Sequence, residues 1–228
     1  MPEFAADTFP RPVNSQILSA FEAVWDGLAV VGTWWTASER VAIVAATRRS
    51  LPLPLGEAAP DIAGLSDAVG SDGLSPLTHE VVRCLVVDAG RITRDWATAA
   101  IDRMGPGRYV EVVALVVQTI PIDLLCDLLG RPRQDLPVPK RGEPSRLVPD
   151  GLGQEGAFVP WAVDGWLGPN VARALSFVPE DNSRRMAVVM SMYSGEHFEE
   201  MVWRHRALSR PQVELVAART SAINECFY

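Results

Sequence analysis

A chain of 228 residues, 48% of them apolar, has the material for a substantial core, which excludes disorder as its default state. Its formal net charge of -7 provides no positive footprint of the kind that phosphate backbones or anionic lipids require, so neither nucleic acid nor a membrane surface is an expected partner. Cys84, Cys126 and Cys226 are odd in number and far apart, and residues 1–14 lack the cationic start and apolar run of a secretion signal; reduced thiols in a cytoplasmic protein are expected.

After a tail of 1–16, apolar residues recur at helical rather than alternating spacing from Ile17 to Gly130. The pattern predicts helices over about 15–31, 37–50, 77–89, 91–104 and 107–129, forming a first unit of 17–130. Thr36 and Glu39 have the form of a capping box opening the second helix. Helix breakers crowd residues 51–75 into a loop, and Ser75-Pro76 then places proline in a first turn, where its missing N–H costs nothing. The most apolar stretch, Tyr109 to Gly130, is interrupted by Glu111, Pro121, Asp123 and Asp127. Each acid would cost about 2.5–3.5 kcal/mol in mid-membrane, so a buried helix is expected there. Gly130 and Pro132 terminate it.

Six prolines between Arg131 and Pro160 fix too many φ angles and remove too many donors for regular structure, and residues 131–167 read as a linker. Helical patterning returns in a second unit of 168–228, with helices predicted at 171–177, 180–193, 195–206 and 210–224. No segment alternates as a strand would, so the fold class is all-α. Cys84 and Cys126 sit in apolar helical patterns as small buried hydrophobes, and Met186, Met190 and Met201 are expected in the core. The seven tryptophans could line a pocket for an apolar hydroperoxide, but large aromatics near turns more often fill gaps between packed helices or subunits. His79, His197 and His205 lack tight metal-ligand spacing, so no metal is expected. There is no phosphate-cradling glycine loop, nucleophilic serine elbow or dinucleotide fingerprint.

The most informative segment is the last. Glu214 stands twelve positions before Cys226, inside a continuous helical pattern that starts at Arg210. An unbroken helix would separate the two by roughly 18 Å, too far for proton transfer, so the chain is expected to turn near Asn224. An internal echo accompanies the motif: Val41 to Ala46 matches Val213 to Ala218, with Ala42 at the place of Glu214 and Pro54 at the place of Cys226.

These residues resemble the motif helix of the carboxymuconolactone decarboxylase and alkyl hydroperoxidase D (AhpD-like) superfamily, whose pattern is Glu-x11-Cys-x2-Cys-x3-His. Gly107 to Val113, running through Ile122-Asp123 to Gly130, is similar to the long helix that closes that family's unit, and Pro137, Pro139, Gly142 to Arg146 and Val159-Pro160 follow as in its two-unit members. The resemblance implies an AhpD-like helical bundle with a degenerate first unit and a partial second one. It implies a thiol peroxidase that reduces hydroperoxides at the expense of a thiol reductant, with no cofactor, and that assembles as a homo-oligomer. By the same resemblance Glu214 is the proton-relaying carboxylate and Cys226 the resolving thiol. The attacking cysteine and the histidine would stand three and seven positions after Cys226, beyond the sequence, so a longer protein or a truncated copy is expected. A non-catalytic helical scaffold or ligand-binding protein of the same fold is the alternative.

Overall fold

A computed structural model describes residues 13–54, 60–193 and 207–223. The first helix, α1 (Ser15–Leu28), opens on Asn14, whose side chain accepts the Gln16 amide, and it turns Leu18, Phe21, Val24, Trp25 and Leu28 inward. α2 (Ala37–Ser50) begins with the expected capping box, in which the Thr36 hydroxyl accepts the Glu39 amide while the Glu39 carboxylate accepts the Thr36 amide. α3 (Pro76–Val87) has Ser75 as its cap and proline in its first turn. A 3-10 turn at Ala89–Arg91 separates it from α4 (Arg94–Met104), which Thr93 caps through the Trp96 amide. α5 (Pro106–Leu128) is the longest helix. Beyond the linker come β1 (Leu152–Gly153) and β2 (Trp161–Ala162), then α6 (Asn170–Arg173), α7 (Pro179–Tyr193) and α8 (Arg210–Ile223).

The described residues are thus mainly helical, as the all-α expectation has it, with one two-residue antiparallel ribbon that the sequence pattern does not announce. A pair of two-residue strands is too short to show alternation. Helix ends differ from expectation where local caps decide them. The first helix stops at Leu28 rather than near 31, the fourth waits for Thr93, and the predicted 171–177 helix shortens to Asn170–Arg173. The predicted helix at 195–206 lies outside the described residues.

α5 is the axis of the core. α1, α2, α3, α4 and α7 all pack against it, and Val112, Leu115, Val116 and Ile122 are its most enclosed apolar side chains. Its length and apolarity would also suit a membrane crossing, yet two thirds (67%) of its most apolar window is buried within this protein, in keeping with a core helix. Gly130 closes the segment with a φ of 66°, the left-handed conformation that glycine adopts without a Cβ penalty. α7, which the sequence assigns to the second unit, shares this core: it lies on α1 and α5 and buries Val188 there. The linker is also tied to the helices. The Trp25 indole N–H donates to the Asp135 carbonyl, and the amides of Lys140 and Arg146 donate to the Ala29 and Thr33 carbonyls at 2.8 Å each. α8 differs from the other long helices in having no buried residue; Leu215, Val216 and Ile223 are 71%, 58% and 65% exposed.

Candidate functional site

Glu214 lies in the first half of α8, half-exposed, with its carboxylate 3.5 Å from the Arg210 guanidinium one turn earlier. Cys226, His197, His205 and Met201 lie outside the described residues, so the predicted pairing of Glu214 with Cys226 has no geometry here. The echo between Val41–Ala46 and Val213–Ala218 falls on helix in both places, but α2 buries Ile43, Val44 and Ala46 whereas α8 buries nothing. The His79 imidazole stands 2.9 Å from the Asp72 carboxylate on the surface. Among the described residues no group of acidic, histidine and cysteine side chains could hold a metal.

The two cysteines in the core behave as the apolar pattern predicts. Cys84 is fully buried and donates its S–H to Glu80; burial first, and then the Glu80 carboxylate, push its pKa up to about 12. Burial also raises Cys126, with Asp123 and Asp127 acting in the same direction. Neither thiol supplies appreciable thiolate near neutral pH, and thiolate is the reactive form. Met186 and Met190 are half-buried rather than central. Trp25, Trp35, Trp96 and Trp161 are buried among the packed elements, and Trp34 and Trp166 are partly exposed.

A polar centre that no local sequence pattern indicates lies where α1, α2, α5 and α7 meet. Arg40 is wholly enclosed and donates to Asp181 through both terminal nitrogens at 2.8 Å, to Glu111 at 2.5 Å, and to the carbonyls of Gly27 and Leu28. The other Glu111 oxygen accepts the Trp34 amide at 2.7 Å. Gly32 lies so close to this carboxylate that a Cβ there would stand 1.6 Å from Oε1. Burial pushes the Glu111 carboxyl upward; Arg40 pulls it back and the Asp181 charge pushes it up again, leaving it above its ordinary value. For Asp181, burial acts upward too, but its two hydrogen bonds from Arg40 and the nearby Arg184 outweigh that and hold it below the ordinary range. The cluster is enclosed, and it joins α7 to the bundle.

A second enclosed carboxylate, Asp123, receives two hydrogen bonds from Arg48, whose guanidinium stacks 4.6 Å over the Trp25 ring. Arg133 of the linker donates twice to Asp127 and approaches Asp123 at 3.9 Å, tying the end of α5 to the chain that leaves it. These groups pair with one another at the end of α5.

A cavity open to solvent lies at the start of α5, between the loop preceding α2 and the linker. Trp34, Arg108 and Arg146 line it. The Arg108 guanidinium stacks 4.5 Å over the Trp35 ring, and the Trp35 indole N–H donates to the Arg108 carbonyl at 3.0 Å. Arginine residues scattered through a chain rich in arginine carry no signal for such a grouping. No family model, no curated protein and no solved structure matches this chain.

Proposed function

We propose that the chain is an AhpD-like thiol peroxidase acting on hydroperoxides, with Cys226 as a redox thiol and Glu214 as the carboxylate that moves its protons. The reading rests on the Glu214-x11-Cys226 spacing, and one structural observation favours it. Of the three cysteines, Cys84 and Cys126 are buried with raised pKa values, so thiolate chemistry in this chain falls to Cys226. The Glu214 carboxylate is half-exposed and open to solvent on one side of its contact with Arg210.

In the reaction a thiolate attacks the terminal peroxide oxygen, the O–O bond breaks, and the leaving alkoxide takes a proton to become an alcohol. The sulfur is thereby oxidised to a sulfenic acid. Cys226, in the resolving role that the resemblance gives it, condenses with it, forming a disulfide and releasing water, and an external dithiol reduces that disulfide to regenerate both thiols.

Peroxide consumption with a dithiol reductant tests this in the intact chain and in Cys226→Ser. The serine variant is expected to be inactive, while Cys84→Ala and Cys126→Ala retain the rate. Equal rates in the intact chain and Cys226→Ser would remove Cys226 from the mechanism and favour a non-catalytic helical scaffold. A thiol reagent at pH 8 should leave Cys84 and Cys126 unlabelled in the folded protein and label both after unfolding, as peptide mass spectrometry would show. Rapid labelling of either in the folded state would undo the assignment by exclusion.

A further inference from the structure

The opening at the head of α5 has a volume of about 310 Å³ and is walled by Trp34, Met104, Pro106, Gly107, Arg108 and Arg146. That volume lies at the small end of the roughly 300–1,000 Å³ typical of ligand sites. From this cavity we infer a binding site for a small organic acid, its anionic group held by the two guanidiniums and its apolar body lying against Trp34, Met104 and Pro106.

Charge carries the first half of the argument. Arg40, Arg48, Arg83, Arg91, Arg103, Arg133 and Arg184 each meet a carboxylate within the protein. Arg108 and Arg146, like Arg94, Arg173 and Arg185, meet none among the described residues, and these two line the same concavity. In a chain with a net charge of -7, two arginines that meet no carboxylate and line one opening favour an anion there. A guanidinium presents a planar fork of donors that fits a carboxylate through two parallel hydrogen bonds. No side chain caps the first amides of α5, so the helix end adds partial positive charge of the same sign.

Positioning carries the second half. Arg108 is held by its stacking on Trp35 and by the indole hydrogen bond to its carbonyl. Arg146 is the one non-glycine among the described residues with a positive φ, 55°, and its amide donates to the Thr33 carbonyl at 2.8 Å. That contact fixes the linker against the loop carrying Trp34 and brings the second arginine to the cavity. Gly107 packs against the Trp34 ring so closely that a Cβ would stand 2.1 Å from it, so the indole is seated on bare backbone and forms a wall. An unpaired, pre-positioned pair of arginines beside an aromatic wall suits an anion with an apolar body better than a bare ion, which would leave Trp34, Met104 and Pro106 unused.

Calorimetric titration of the full chain with benzoate tests the inference, with benzyl alcohol as its uncharged counterpart and inorganic phosphate as the bare anion. Benzoate is expected to bind, and Arg146→Asn and Arg108→Gln are each expected to weaken it at least tenfold. The Arg146 side chain is exposed and asparagine tolerates a φ near 55°, so Arg146→Asn should keep the fold; matched circular dichroism and melting would verify this. Absence of benzoate binding to the unaltered chain, or an affinity in both variants equal to the parent's, would overturn the site. Equal binding of benzyl alcohol would overturn the role of the arginines, and equal binding of phosphate that of the apolar wall. Cys226→Ser should bind benzoate as the parent does, so failure of the peroxidase proposal and failure of this one are separately visible.

Discussion

Asp181→Ala is expected to cost about 3–5 kcal/mol of stability, the range for removing one partner of a buried ion pair. The reason is the enclosure of the charge that remains. Arg40 is 0% exposed and Asp181 only 2%, so water cannot reach the two guanidinium nitrogens whose bonds to Asp181 would be lost. The alanine variant also loses the polar joint that seats α7 on the bundle, and local unfolding should spread from there. For a chain of this size each kcal/mol moves the melting temperature by roughly 2–4 °C, so a fall of about 6–20 °C is expected. Urea unfolding would give the free energy, and hydrogen exchange should show the loss of protection concentrated in Pro179–Tyr193. A change under about 1 kcal/mol would mean that Arg40 finds water or another acceptor on losing Asp181, and the joint would not be structural.

The pH dependence follows from the same geometry. Asp181 is held below its ordinary value of 3.8, so the unfolded chain binds its proton first as the solution is acidified. Its contribution is therefore complete above that ordinary value and is lost as pH falls through the folded one. Glu111 has the opposite sign: its folded pKa is above 4.5, and its contribution weakens as pH rises through that folded value. Replacing all three charges with apolar residues, as in Arg40→Met, Glu111→Leu and Asp181→Leu together, should cost far less than Asp181→Ala alone, because no unpaired charge is left enclosed.

Local signals in the sequence account well for the helices and poorly for what joins them. Thr36 with Glu39, Ser75 with Pro76, and Gly130 each act within a few residues, and the structure uses all of them as the pattern implies. Thr93 shifts the start of α4 because a single threonine in a polar stretch is a weak signal until its hydroxyl is seen accepting the Trp96 amide. The ion cluster is invisible for a different reason. Arg40 and Asp181 are 141 residues apart, Arg40 and Glu111 are 71 apart, and no periodicity connects them. The available clue is that an acid inside an apolar helix must find a cation or neutralise; Glu111 and Asp123 in the run from Tyr109 to Gly130 are such acids, and both have one. The cavity at the head of α5 is harder still to foresee, since it depends on a linker arginine meeting a helix start 40 positions earlier. The Glu214–Cys226 motif is legible only as a spacing, and its geometry lies outside the described residues.

Gly32→Ala should be as damaging as the loss of Asp181, although it adds one methyl group and removes no hydrogen bond directly. Its Cβ would stand 1.6 Å from the Glu111 carboxylate oxygen and 2.6 Å from the nearest Arg40 nitrogen, far inside contact distance. Glu111 has no solvent to retreat into, being 0% exposed and held on one side by Arg40 and on the other by the Trp34 amide. Either the loop carrying Trp34 lifts away or the ion pair parts, and each leaves an enclosed carboxylate short of donors, at about 3–5 kcal/mol. Gly107→Ala makes a comparable overlap with Trp34, at 2.1 Å, but that ring is partly exposed and can turn aside, so its cost should be smaller. A double-mutant cycle separates steric conflict from a general intolerance of the loop. Once Glu111→Ala has removed the carboxylate, adding Gly32→Ala should cost less than about 1 kcal/mol, giving a coupling of roughly 2 kcal/mol or more between the positions. Additive penalties would instead place the demand for glycine in the loop backbone, and Gly32 would have no part in shaping the ion cluster.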